Sequence, residues 1–289
     1  MTRAELEPLR LQAAHVAGLM RLPFRRRAWR GVQGNWQGTG TGSSLDFQDH
    51  RPYAPGDDPR YINWQAYART GHFTMKLYRE EVSPALDLAV DLSASMFVDE
   101  EKAARCAELV YWAVENAMQA GASIRCFAVR GSAVEPLSLE SIEGDEWAQA
   151  SANPQPAALE SIPWRHGSLR VVISDLLWPG EIQPVFQALD EQGGSGTIFA
   201  PYSPAEAEPD WAGNLQMLDC ESEEVRVQRL DAGALSRYRA AYLRHFDLWQ
   251  QQALRYHVPL ARIRSDVDLA EALRSQVGET GAVEWAHGV

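Results

Sequence analysis

Leu86-Asp87-Leu88-Ala89-Val90-Asp91-Leu92-Ser93-Ala94-Ser95-Met96 is the stretch on which the fold turns. Its first six residues read as a short, nearly all-apolar strand ending on a carboxylate, and Leu169-Arg170-Val171-Val172-Ile173-Ser174-Asp175 repeats that pattern downstream. Runs of this kind, apolar on both faces, belong to parallel sheets covered by helices on either side. The surrounding sequence alternates accordingly. A helix is predicted over 100–119, with Cys106, Leu109, Val110, Ala113 and Ala117 at helical spacing and Gly121 to stop it. Strands follow at 123–129 and, as its hairpin partner, 133–137; then come a helix over 181–192, a strand at 196–201 and late strands at 214–220 and 225–230. A long helix over 231–257, with Asp231 as a cap, precedes a strand at 260–263 and a helix at 269–276. The expectation is an α/β domain over 81–289, a mainly parallel sheet flanked by helices.

Residues 1–80 read as an accessory segment packed on that domain. Within it, 5–20 is a short amphipathic helix with Leu9, Ala13, Val16 and Met20 on one face, and 73–78 alternates as a half-buried strand should. Gly31, Gly34, Gly38, Gly40 and Gly42 lack the strand before and the helix after that a phosphate-cradling fingerprint needs, so they read as a flexible or hairpin loop.

The chain has 289 residues, 45% of them hydrophobic, enough to bury a core without staples. Cys106, Cys126 and Cys220 show no C-x-x-C spacing, which gives neither a disulfide framework nor a thiolate zinc site and fits a reducing, cytoplasmic setting. No apolar run approaches the roughly 20 residues of a membrane span, and no secretory leader is visible in residues 2–10. The net charge of -12 is divided unevenly: residues 1–79 carry +6 and residues 80–289 carry -18. The basic run Arg21, Arg25, Arg26, Arg27 and Arg30 is either a solvated arm, an arm folded back on the acidic remainder, or a weak contact for the inner membrane surface. No nucleic-acid module stands behind it.

Asp91 and Asp175 both end apolar strands, and in an open parallel sheet the ligand crevice lies beyond the carboxyl ends of the strands where the strand order reverses. If the two strands are neighbours there, both carboxylates face one crevice. Asp91, Ser93 and Ser95 alternate along the following loop, and carboxylate plus hydroxyl oxygens are hard ligands suited to Mg2+. The plainer alternative is that Asp91 caps the turn that follows it.

A second stretch is Arg51-Pro52-Tyr53-Ala54-Pro55-Gly56-Asp57-Asp58-Pro59-Arg60-Tyr61-Ile62-Asn63-Trp64-Gln65-Ala66-Tyr67-Ala68-Arg69-Thr70-Gly71. Its centre is a tight turn, with Gly56 supplying backbone freedom and Asp57 and Asp58 able to bond nearby N–H groups. Arg51, Arg60 and Arg69 offer planar forks for carboxylates. The stretch is an internal ion-pair and turn network docking the basic segment, or else a partner-binding surface. Trp64 reads more readily as a core anchor than as a recognition residue.

This second stretch resembles the signature of the prokaryotic domain-of-unknown-function family 58, and Asp91-Leu92-Ser93-Ala94-Ser95-Met96 resembles the metal-ion-dependent adhesion site of von Willebrand factor A domains. Together with the late region 243–273, the resemblance spans about 44–276. It implies a von Willebrand A-like, Rossmann-like fold and work alongside a MoxR-type AAA+ ATPase in chaperone-like assembly or maturation of protein complexes that include a client protein. It also implies Mg2+ at Asp91, Ser93, Ser95 and Asp175. The family's threonine has no counterpart between Thr74 and Thr197, leaving Ser151, then Asn153, as the candidate further ligand, and Asn63 stands where the signature has Asp. Tyr53, Gly56, Asp57, Asp58, Arg60, Trp64 and Arg69 carry the rest of the signature with Arg51.

Enzyme readings fare poorly, because no G-x-S-x-G elbow, H-E-x-x-H helix or P-loop occurs. An Asp91-centred phosphatase wants a second acid two residues on, and that position is Ser93. The sequence therefore points to a non-catalytic interaction module, with a metal-assisted form and, as the alternative, a metal-independent scaffold or adaptor.

Overall fold

The computed structural model describes residues 1–24, 36–41, 47–82, 84–144, 147–149, 157–178, 180–222 and 224–286, with the backbone alone for 36–41, 47–50 and 76–82. The chain forms two compact units, one made of Met1–Pro23 with Ala85–Val289 and the other of Phe24–Pro84. In chain order, α1 (Arg3–Ala17) and β1 (Met20–Arg21) come first, and β2 (Trp36–Thr41), β3 (Phe47–Pro52), α2 (Trp64–Thr70) and β4 (Thr74–Val82) make up the second unit. The first unit resumes with β5 (Ala85–Asp91), α3 (Glu100–Gln119), β6 (Ser123–Arg130), β7 (Ala133–Leu137), α4 (Leu139–Glu143) and β8 (Leu169–Ile173). It continues through α5 (Gln183–Asp190), β9 (Ser195–Tyr202), α6 (Pro204–Ala207), β10 (Gly213–Leu218) and β11 (Val225–Leu230). The last elements are α7 (Ala232–Arg255), β12 (Leu260–Arg264), α8 (Leu269–Arg274) and β13 (Glu284–Trp285).

The expected α/β class with a mainly parallel sheet is what the chain adopts. Six strands stand in the order β12-β9-β8-β5-β6-β7, and β7 alone runs antiparallel, on an edge. The order reverses between β5 and β8, which pair in parallel from Leu86 opposite Leu169 to Val90 opposite Ile173. Both faces are buried, as the unbroken apolar runs require. Ala89, Val172 and Ile198 face the layer that contains Phe186 of α5 and Tyr242, Phe246 and Trp249 of α7. The opposite face meets α3, whose Trp112 ring sits edge-on to Phe199 at 5.4 Å. Asp99 caps α3, accepting from Lys102 N–H at 2.6 Å, and Asp231 caps α7, accepting from Ala234 N–H at 2.7 Å.

Two expectations need correction here. Residues 1–23 belong to the α/β unit and not to an accessory segment of 1–80, because α1 is amphipathic and buries Leu6, Ala13, Val16 and Ala17 while packing along α3. Side chains of α3 tie down the segment after α1: Trp112 Nε1 donates to Met20 O at 3.0 Å, and Leu22 N–H donates to Asn116 Oδ1 at 3.1 Å. Gly38 and Gly40, read as loop, lie in β2, an outer strand of the antiparallel sheet β2-β4-β3. Gly31, Gly34, Gly42 and the basic residues Arg25, Arg26, Arg27 and Arg30 lie outside the described residues.

Asp87 is the one acid inside an otherwise apolar strand, and the structure gives it a full set of donors. Its carboxylate accepts from Arg125 Nε at 3.0 Å and Nη2 at 2.9 Å, from Arg165 Nε at 2.7 Å and N–H at 2.6 Å, and from Ser168 Oγ at 3.0 Å. Burial pushes its pKa up, but Arg125 and Arg165 outweigh burial and hold the carboxyl below the usual aspartate range. A depressed folded value stabilises the protein above the unfolded value near 4 and ceases to do so as pH falls through the lowered one. Asp87→Asn should therefore cost about 3 kcal/mol in urea melts at pH 7, and the deficit should shrink towards pH 3. A deficit equal at both pH values would show that the lost charge is not its cause.

Candidate functional site

The parallel pairing of β5 with β8 brings Asp91 and Asp175 to the same carboxyl edge of the sheet. Both are buried, at 1% and 2% exposure, and the loop after β5 carries the half-buried Ser93 and Ser95 beside them. Asp91 Oδ1 accepts from Ser93 N–H at 2.9 Å, and its Oδ2 accepts from Ser174 Oγ–H at 2.7 Å. The turn-capping role proposed for Asp91 is thus present. The Ser93 and Ser95 hydroxyls bond one another at 3.0 Å. Asp175 Oδ1 accepts from Leu177 N–H at 3.0 Å, across Leu176, whose backbone is left-handed at φ 62°. Ser151 and Asn153 lie outside the described residues.

Three residues that the sequence reading passed over complete the edge. Lys102, on the first turn of α3, has a side chain with no exposure, and its Nζ donates to Asp175 Oδ2 at 2.8 Å and to Glu206 Oε1. Glu206 is fixed by a capping box at the start of α6, where its other oxygen accepts from Ser203 N–H at 3.2 Å. Glu221 comes from the turn between β10 and β11, where Asp219 Oδ1 accepts from the N–H groups of Glu221 and Ser222, both at 2.9 Å. From there Glu221 Oε1 accepts from Ser95 N–H at 2.9 Å. The sequence did hold a signal for Glu206, the box Ser203-Pro204-Ala205-Glu206; a helix-period pattern treats Lys102 as one more surface lysine.

Electrostatically this edge is crowded with acids. Burial and the neighbouring Asp175 push the Asp91 carboxyl up to about 6, against the hydrogen bonds from Ser174 and Ser93. Glu206 is also raised, by burial first. Burial opposes the charge on Lys102, yet Asp175 and Glu206 outweigh it and hold the amine above the ordinary lysine value. As arranged, the donor set suits an ammonium and not Mg2+. Each oxygen of Asp91 and Asp175 already has a hydrogen-bond donor, and the described residues hold no group of three His, Cys, Asp or Glu side chains placed for a metal. A small hard cation needs near-octahedral oxygens about 2.1 Å away, and an ammonium on Asp175 repels it.

The other quoted stretch lies in the second unit. Arg51 forks onto Asp57 at 2.7 and 2.6 Å, and Asp57 also accepts from Ala54 N–H at 2.8 Å. Asp58 caps the 3-10 turn Pro59–Tyr61, accepting from Arg60 N–H at 3.0 Å and from its guanidinium at 2.6 Å. Gly56 has φ 104°, which the turn needs and which only glycine adopts freely. Asn63 caps α2 by accepting from Ala66 N–H at 3.1 Å, a task Asp and Asn do equally well. Arg69 Nε reaches Gln65 O at 3.4 Å. Trp64 is not a core anchor: it is 57% exposed, in a cluster with Tyr67 and Phe73. Tyr67 stacks on Phe73 at 4.4 Å, and Tyr53 lies against Phe73 at 6.2 Å.

Comparison with known proteins agrees with the family read from this stretch. Residues 49–133 match the family model described as "Protein of unknown function DUF58", which takes in the signature, β5, the Asp91-Ser93-Ser95 loop and α3. No curated protein matched the chain. Among solved structures, the chain is similar to BatB from Bacteroides thetaiotaomicron at 13% identity and a TM-score of 0.35, over 68% of this chain and 98% of that one. An aerotolerance-related membrane protein from Bacteroides fragilis NCTC 9343 is similar at 16% identity and a TM-score of 0.36, over 69% and 98%. Among the described residues of this chain, no helix is long and apolar enough to cross a membrane.

A hydrogen bond to a carboxylate contributes roughly 1.5 kcal/mol, so Glu221→Ala should speed hydrogen exchange at the Ser95 amide about tenfold. Unchanged exchange would show that the turn between β10 and β11 does not rest on this loop in solution.

Proposed function

We propose that the chain is a non-catalytic protein-interaction module, an adaptor that works with a MoxR-type AAA+ ATPase on a client protein in the cytoplasm. The observation that carries this reading is the aromatic cluster of the family-matched segment. Trp64, Tyr67 and Phe73 are 57%, 38% and 45% exposed, and the segment that bears them is pinned by Arg51–Asp57, by the Asp58 cap and by the Asn63 cap. Rigid, exposed Trp and Tyr side chains give large contact area at low entropic cost, which is what interface hot spots use. Arg51 and Arg60 are engaged by Asp57 and Asp58, so they act on the shape of the surface more than as free charges for a partner. At the sheet edge, every Asp91 and Asp175 oxygen is held by an internal donor, which favours a structural over a reacting role. The ATPase partner comes from the family resemblance. Of the two forms of the module, the metal-independent adaptor is the one the donor set favours.

The test is capture of the cell's own purified MoxR-type ATPase by the full-length chain. Trp64→Ala and Tyr67→Ala should each weaken capture at least tenfold with the melting curve preserved, as hot-spot truncations do. Capture unaffected by both substitutions, failure to bind the ATPase, or turnover of a phosphoester by the chain alone would overturn the reading.

A further inference from the structure

Leu176, the residue after Asp175, is fully buried and holds a backbone φ of 62°, a left-handed conformation that is unfavourable for any residue with a Cβ. Strain of this kind persists only where the surroundings fix it, and it gathers at switch regions. The Leu176 N–H donates to Ser174 Oγ at 3.1 Å, and its carbonyl lies 2.7 Å from Nε2 of His245 on α7. The same ring nitrogen is 3.2 Å from Trp249 Nε1, whose N–H points at it. These two bonds exclude one another. To donate to the Leu176 carbonyl, Nε2 must carry a proton; to accept from the indole, it must present its lone pair. A neutral ring can do either, according to which nitrogen is protonated, whereas an imidazolium can only donate. Trp249 is 1% exposed, and a buried N–H without an acceptor is rarer in folded proteins than an under-used carbonyl, so the neutral ring favours the indole.

We infer that His245 is a protonation-driven latch on the loop after β8: the neutral ring accepts from Trp249 and leaves the Leu176 carbonyl unheld, and the imidazolium donates to that carbonyl and pins the left-handed turn. Asp175 stands on one side of the turn and Leu177 on the other, and the Leu177 N–H donates to Asp175 Oδ1 at 3.0 Å, so the latch acts on the carboxyl edge of the sheet. Phe246 and Trp249 face the ring from its own helix. The titratable groups around it have other partners or point to solvent. Asp175 on the loop bonds Lys102, as does Glu206 of α6, and Tyr242, one turn earlier on α7, bonds Arg262. Arg244 and Asp247 flank His245 on the exposed side of α7. α5 packs against α7 through Phe186 and Trp249, and its one titratable residue, Asp190, is exposed. The inference stands whatever docks on the aromatic cluster.

The test is nuclear magnetic resonance of the full-length chain through the titration of His245, followed by the ring's own carbon-bound protons and nitrogen shifts. Two hydrogen-exchange probes, each corrected for its intrinsic pH dependence, should move in opposite directions. As the ring gains its proton, the Leu177 amide should become about tenfold better protected, the effect of one hydrogen bond from a charged donor, and the Trp249 indole N–H about tenfold less. The nitrogen shifts of the neutral ring should place its proton on Nδ1. His245→Gln, which offers a donor and an acceptor on separate atoms, should abolish both responses while keeping the fold, with His245→Asn as the second variant. The Asp91 carboxyl, raised to about 6, titrates too, so a response that persists in the glutamine variant belongs to that carboxyl and overturns the latch. A neutral ring protonated on Nε2, or two probes that move together or not at all, would overturn it as well. These last measurements use the wild type alone and decide the matter even where neither variant folds.

Discussion

Parallel pairing of β5 with β8 is the constraint from which the rest follows. Because the strand order reverses there, the helices after the two strands leave on opposite faces, and the loops between them diverge. The gap they leave lies at the edge where Asp91 ends β5 and Asp175 follows β8. Burying two carboxylates at one sheet edge is unfavourable in a low-dielectric interior, so the pairing that builds the fold also creates a need for positive charge there. Lys102 meets the need from α3, which must pack across these strands in any case to cover the sheet.

Opposite ends of β5 solve the same problem differently. At the amino end, Asp87 is surrounded by two guanidinium groups and a hydroxyl, with an excess of donors over acceptors. At the carboxyl end the excess is of acids over cations. The first arrangement clamps three strands together: Asp87 on β5 ties to Arg125 on β6 and to the Arg165–Ser168 turn that leads into β8. The second leaves a locally negative edge whose hydrogen bonds are all used internally. The 93–95 loop is held at that edge by Asp91, which accepts from Ser93 N–H, and by Glu221, which accepts from Ser95 N–H.

Much of this was legible before any coordinates. Alternation of apolar strands and periodic helices marks a covered parallel sheet, and the residue types at the strand ends mark the crevice, so Asp91, Ser93, Ser95 and Asp175 could be named together. The unit boundary was not legible. Charge counting separates residues 1–79 from the remainder, whereas α1 joins the α/β unit through apolar burial, to which charge is blind. Lys102, Glu206 and Glu221 were missed for a related reason: each is an ordinary polar residue within its own element, and only long-range packing makes it part of the edge. Trp64 was misjudged because a large apolar ring predicts burial on average, and here an aromatic neighbour, Phe73, receives it at 6.3 Å without enclosing it.

The pairing of β1 with β13 has a consequence for how this chain is made. Met20 and Arg21 pair with Trp285 and Glu284, and the Leu19 carbonyl accepts from Ala286 N–H at 2.8 Å. At 5 to 20 residues per second, a ribosome delivers the second half of that ladder roughly 15 to 50 seconds after the first. In the first part of that interval α1 has emerged with its apolar stripe, and the helix it packs along, α3, appears only after the whole of the second unit has been synthesised. The α/β unit therefore pairs β1 with a strand made long after it, and α1 is open to chaperones and to aggregation until α3 follows it.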